Sequence, residues 1–137
     1  AGIGAADRVA VVLPNGPDMA AAFVTIAQAA VPAPLNPAYQ AKEFSFYLED
    51  LRARAIVVPA GYDGPALAAA AALGLTVLRL HADMAAPAGQ FRLTGPAAAT
   101  PAPAGRPGPD AVALILHTSG TTSRPKIVPL LQSNVFA

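Results

Sequence analysis

The chain has 137 residues, enough for one domain with a real core, and 54% of them are hydrophobic, although many are alanines that bury little area each. Only 12% are charged, the net charge is +1 and the arginines are scattered, which excludes an electrostatic case for nucleic acid or an anionic membrane. The absence of cysteine excludes disulfides and thiolate metal sites. The opening Ala1-Gly2-Ile3-Gly4-Ala5-Ala6-Asp7-Arg8 has neither the basic start nor the long apolar run of a signal peptide. Residues 65–78 are too short for a membrane span and are broken by Gly74, so no span is predicted and a cytoplasmic location is expected.

In chain order, residues 8–13 form an apolar run with β-branched residues, closed by Pro14-Asn15-Gly16-Pro17, the pattern of a buried parallel strand ending in a turn. Pro17 suits a first helical position and Asp18 the positive end of a helix dipole. A helix is predicted over 17–30, with Met19, Phe23, Ile26, Ala27 and Ala30 on one apolar face. Pro32, Pro34 and Pro37 confine any strand near Leu35 to a few residues. A second helix over 42–51 presents Phe44, Tyr47, Leu48 and Leu51 together. A strand at 54–58, an alanine-rich helix at 65–73 stopped by Gly74, and a strand at 76–80 complete a β-α-β-α-β-α-β rhythm. That rhythm predicts an α/β fold, a largely parallel sheet with helices on both faces.

Residues 85–109 carry prolines at 87, 96, 101, 103, 107 and 109 with no period, and read as a surface linker. The predicted organisation is therefore an α/β unit over 1–84, a Pro/Ala-rich linker over 85–109, and a final piece over 110–137. The final piece holds a buried strand at 110–117, expected to be central in the sheet of the complete parent, a short edge strand at Val128-Pro129-Leu130, and a first helical turn from Ser133.

Between those last strands lies Thr118-Ser119-Gly120-Thr121-Thr122-Ser123-Arg124-Pro125-Lys126. A glycine lets backbone N–H groups turn inward, hydroxyls add donors and a lysine adds a point charge, which together suit a phosphate. The common P-loop is excluded: Pro125 stands where it needs glycine and Ile127 where it needs a hydroxyl. The other reading is a plain polar loop after a strand.

The run from Ile115 to Lys126 resembles the AMP-binding signature of the adenylate-forming enzymes: acyl-CoA synthetases, luciferases and peptide-synthetase adenylation domains. Asp7 to Asn15 resembles the family's first core strand, Ala33-Pro34-Leu35-Asn36-Pro37 its second block, and the stretch from Ala41-Lys42-Glu43-Phe44 to Leu48-Glu49-Asp50 the helix that follows. The resemblance implies that Thr118, Ser119, Gly120, Thr121, Thr122, Ser123 and Lys126 wrap the β- and γ-phosphates of ATP, with Lys126 neutralising the departing pyrophosphate. It implies ATP, Mg2+ arriving with it, CoA and a carboxylic acid as substrates. The wording is most like oxalate–CoA ligases, with medium- and long-chain fatty acyl-CoA synthetases of fatty acid metabolism close behind. The family's later motifs are absent, so the expectation is an N-terminal fragment with no catalytic residue of its own, inactive alone and prone to self-association or dimerisation. The rival reading is a non-catalytic truncated subdomain.

Two residues depart from the family pattern. Ile127 replaces a glycine, and a left-handed backbone there would strain it; glycine is expected to be tolerated at this position. Leu131 stands where a threonine caps the next helix. The other polar and aromatic residues have plain structural readings. His117 closes a strand with no partner in view, and His81 is a surface residue after a strand. Neither has metal-ligand spacing, so no protein-bound metal is expected. Asp50 and Glu49 read as a solvated helix face, Asn15 and Asn36 as turn residues, and Phe44, Phe46 and Tyr47 as core and rim.

Overall fold

A computed structural model describes residues 2–97, 107–118 and 125–135. Five strands form one sheet in the order β2-β1-β3-β4-β5. They are β1 (Arg8–Val11), β2 (Val31–Pro34), β3 (Ala55–Pro59), β4 (Thr76–Ala82) and β5 (Phe91–Thr94). The first four run parallel, joined by the helices α1 (Pro17–Ala27), α2 (Ala41–Asp50) and α3 (Pro65–Ala72).

Strand alternation divides the core. Val9, Val11, Ala55, Val57 and Leu80 face one side, where Ala22 and Ile26 of α1 cover them. Ala10, Val12, Ile56 and Val58 face the other, covered by Phe44 and Leu48 of α2 and Ala66, Ala69 and Ala70 of α3. Helices thus lie on both faces, as the rhythm predicts. On α1 the buried contacts are Ala22 and Ile26, with Met19 packed beside them and Phe23 only half-buried. Burying each large aliphatic side chain contributes roughly 1.5–3 kcal/mol.

Prolines in β2 are accommodated by alternation. Val31 N–H donates to Asp7 O and Leu35 N–H to Val11 O, so odd positions face β1 while Pro32 and Pro34 point their nitrogens away.

Helix ends are closed locally. Glu43 accepts from Gln40 N–H at 2.8 Å at the start of α2. At its end, Ala53 N–H donates to Leu48 O and Arg52 N–H to Glu49 O, a Schellman closure with Arg52 at φ 49°. The Arg8 guanidinium also donates to Leu51 O at 3.0 Å. At the end of α3, Leu75 N–H bonds Ala70 O and Gly74 N–H bonds Ala71 O, with Gly74 at φ 64°.

Two parts differ from the sequence reading. Residues 91–94, read as linker, form β5, which runs antiparallel to β4 with Leu93 opposite Leu80. Four residues among prolines carry too little periodicity to show in sequence. The second difference concerns the buried strand read over 110–117, which lies outside the five-stranded sheet. It is β6 (Val112–Thr118), paired antiparallel with β7 (Lys126–Leu131) in a separate two-stranded sheet. Its apolar run arises because Ala113 and Ile115 are buried against the body of the domain, while Leu116 remains exposed. The edge strand read at 128–130 is longer than expected and is the partner of β6. A short helix, α4 (Gln132–Val135), follows; Leu131 N–H is held by Asn134 Oδ1 at 2.9 Å, so the cap is supplied from within the turn rather than by residue 131.

Candidate functional site

The hairpin of β6 and β7 presents the signature. Its register sets Thr118 opposite Lys126, His117 opposite Ile127 and Leu116 opposite Val128, with an irregularity between Val112 and Leu114. Because opposed residues share a face, Thr118 and Lys126 project together from the exposed side, and both are exposed. Ser119, Gly120, Thr121, Thr122, Ser123 and Arg124 lie outside the described residues. Of the sequence-predicted site residues, the structure therefore places two, and it places them side by side where β6 ends and β7 begins. A lysine ammonium beside a threonine hydroxyl is chemically suited to an anionic oxygen.

Ile127 takes no left-handed backbone. Among the described residues the only non-glycine with positive φ is Arg52. Ile127 is an ordinary strand residue packed against the main core cluster, so the expected strain is absent.

On the inner face the structure assembles a group that sequence reasoning missed. The His117 side chain is only 6% exposed, and its Nε2 lies 3.3 Å from Asp50 Oδ2. The imidazole stands edge-on to Tyr47 at 4.7 Å and 72°. Tyr47 in turn stacks on Tyr39 at 4.8 Å and 9°, and Tyr39 meets Phe44 edge-on at 5.8 Å. Burial foremost, then the adjacent Tyr47 and the charge of Glu43, push the Tyr39 hydroxyl from 10.0 up to about 12. His117 thus has a partner, and Asp50 is more than a solvated helix end. The two are 67 residues apart, and no spacing pattern connects a helix C-terminus to a strand that distant. Phe44 is core and Phe46 lies at the rim, touching Tyr47 at 5.3 Å.

His81 sits within β4, opposite Arg92, and its Nε2 meets Thr94 Oγ1 at 2.9 Å; it is a cross-strand residue, not one beyond the strand. Asn36 Oδ1 accepts from Ala38 N–H at 3.0 Å, the turn role read from sequence. Among the described residues no cluster of three His, Cys, Asp or Glu side chains could hold a metal ion, and no helix is long and apolar enough to cross a membrane.

The family model described as "AMP-binding enzyme" matches residues 1–137. The Humulus lupulus protein described as "Probable CoA ligase CCL9" is 40% identical over 98% of this chain and 26% of its own length. The Saccharomyces cerevisiae oxalate–CoA ligase is 37% identical over 94% of this chain and 28% of its own. Among solved structures, apo MatB from Rhodopseudomonas palustris superposes with a TM-score of 0.74 at 29% identity, over 98% of this chain and 26% of that one. The chain thus spans about a quarter of the length of these relatives. With the α/β architecture and a family match along its whole length, this chain belongs to the family of AMP-binding enzymes.

Proposed function

We propose that this chain is the N-terminal part of an ATP-dependent acid–CoA ligase and contributes the hairpin that grips the nucleotide's phosphates. The observation that carries this reading is the pairing of Thr118 with Lys126 where β6 ends and β7 begins. A solved relative, the ATP-bound MatB of Rhodopseudomonas palustris, is 30% identical with a TM-score of 0.70, which supports it. In the reaction, a substrate carboxylate oxygen attacks the α-phosphorus of ATP, the bond to the β-phosphate oxygen breaks, and acyl-adenylate and pyrophosphate form. The CoA thiolate then attacks the acyl carbon and AMP leaves. Negative charge grows on the departing pyrophosphate in the first step only. Lys126 and Thr118, with Ser119, Gly120, Thr121, Thr122 and Ser123, serve that step as cation and hydrogen-bond donors. Mg2+ enters as part of the ATP substrate.

Oxalate is the acid this reading favours, supported by the 37% and 38% identity to the yeast and Arabidopsis thaliana oxalate–CoA ligases. A fatty acid, and with it a place in fatty acid metabolism, is the second reading. It is supported by the likeness to the long-chain-fatty-acid–CoA ligase of Archaeoglobus fulgidus, TM-score 0.71 at 25% identity. The proposal carries with it a cytoplasmic site of action, a working division of the chain into 1–84, 85–109 and 110–137, and an inactive isolated chain. The deciding experiment is acid-dependent pyrophosphate exchange in the complete ligase with oxalate, medium-chain and long-chain acids, for the parent and Lys126→Ala. Lys126→Ala is expected to slow adenylation by about 2.7–4 kcal/mol of barrier while thiol transfer changes less. An unchanged adenylation rate in a folded variant would overturn the phosphate role. Exchange with only fatty acids would select the second reading.

A further inference from the structure

Among the described residues, one side-chain hydrogen bond ties the β6–β7 hairpin to the rest of the domain, and it is the bond between His117 and Asp50. The remaining attachment includes the packing of Ile115, Val112 and Ile127 on the core. Apolar packing opposes separation but is non-directional, so it resists sliding poorly. A hydrogen bond has a preferred direction and length, and so fixes the register of one surface on the other.

Its position is telling. His117 directly precedes Thr118 in the chain and lies opposite Ile127, the neighbour of Lys126. Holding the imidazole therefore holds the last inward-facing rung before the signature residues. Asp50 is the final residue of α2, and that helix end is itself pinned by Arg8 on Leu51 O and by the closure at Arg52. The Tyr47 ring blocks the imidazole from turning away. We infer that His117 and Asp50 form a latch that positions the phosphate-binding end of the hairpin, a positioning pair acting through Thr118 and Lys126; the inference rests on the phosphate reading above.

The ring's protonation pattern follows from the same contacts. Nδ1 is buried and has no partner among the described residues. A proton there would be a buried unpaired donor, whereas a proton on Nε2 meets the Asp50 oxygen, so the latch requires the Nε2–H form.

Three substitutions in the complete ligase separate the latch from plain stability. His117→Phe keeps a ring against Tyr47 and removes the hydrogen bond. Asp50→Leu removes the partner from a site that is 39% exposed, where folding is little threatened. Asp50→Asn keeps an acceptor oxygen. The first two are expected to raise KM for ATP about three- to tenfold, the worth of one partly screened hydrogen bond to a charged group, with KM for CoA unmoved. Asp50→Asn is expected to recover most of the loss. Imidazole 15N spectra of this chain, with His81→Gln to assign the two histidines, should show Nε2–H for His117 and a tautomer mixture after Asp50→Leu. If His117→Phe and Asp50→Leu leave KM for ATP unchanged while Lys126→Ala slows adenylation, the latch is wrong and the phosphate reading stands. If Lys126→Ala is silent too, both fall. Equal rises in KM for ATP and CoA, no recovery with Asp50→Asn, or an Nδ1–H ring would each overturn the latch.

Discussion

At the scale of single residues, Ile127 shows how position changes the meaning of a substitution. Tolerance of glycine there is the natural expectation from the family pattern, since glycine can follow any backbone. In the fold, Ile127 is a strand residue whose side chain packs on the core opposite His117. Ile127→Gly therefore removes buried apolar surface and loosens a strand, and is expected to destabilise the chain by about 2 kcal/mol in urea denaturation. A stability equal to the parent's would mean that the side chain is dispensable to the hairpin. Tyr39 gives a pH-dependent counterpart. Its hydroxyl ionises near 10.0 when unperturbed and is pushed up to about 12 in the fold, burial being the foremost cause. The folded state thus holds the phenolic proton more tightly than the unfolded state does. That contribution to stability is whole below pH 10 and is lost as pH climbs towards 12. Melting followed at pH 9 and pH 11 should show a smaller alkaline loss for Tyr39→Phe than for the parent. Identical losses would place the titrating group elsewhere.

At the scale of elements, the two Schellman closures form a matched pair. Gly74 at φ 64° has nothing within 4 Å of where a Cβ would sit, so Gly74→Ala tests backbone conformation alone and should cost about 1 kcal/mol. Arg52 occupies the same left-handed position after α2 with a side chain attached. Arg52→Gly should accordingly gain about 1 kcal/mol, and a thermal melt of each variant checks the opposite signs. These elements were largely legible. The runs at 8–13 and 54–58 announce parallel strands because both faces are buried, the run at 76–80 does so through its apolar residues although only Leu80 is buried, and the helix over 42–51 shows Phe44, Leu48 and Leu51 at helical spacing. What escaped was short or distant. Phe91 to Thr94 is four residues of half-buried edge strand, and the His117–Asp50 contact joins positions with no local relation. The signature residues themselves were legible as chemistry, through a glycine among hydroxyls and a terminal lysine. Their pairing of Thr118 with Lys126 needed the hairpin register.

At the scale of the whole molecule, the body and the hairpin flank a half-open, mostly apolar hollow of about 510 Å³, lined by Val31, Val112, Ile115 and Ile127 with Arg8 and Asp110 among the other residues around it. Leu116 and Val135 are exposed on the hairpin and α4. With a net charge of only +1 there is little repulsion between copies, so the isolated chain is expected to dimerise or associate further. Light scattering across a concentration series checks this, and a clean monomer at high concentration would contradict it. The sheet's outer boundary offers no help to such association. Pro32 and Pro34 are the residues of β2 turned away from β1. That border therefore offers carbonyl oxygens and not a single N–H from either position. β6 lies alongside this flank, with Pro32 buried, yet the two strands belong to separate sheets. With no N–H offered at either proline, half of any ladder is missing, and the hairpin packs beside the sheet without being stitched into it. It therefore keeps a register of its own, independent of the five strands.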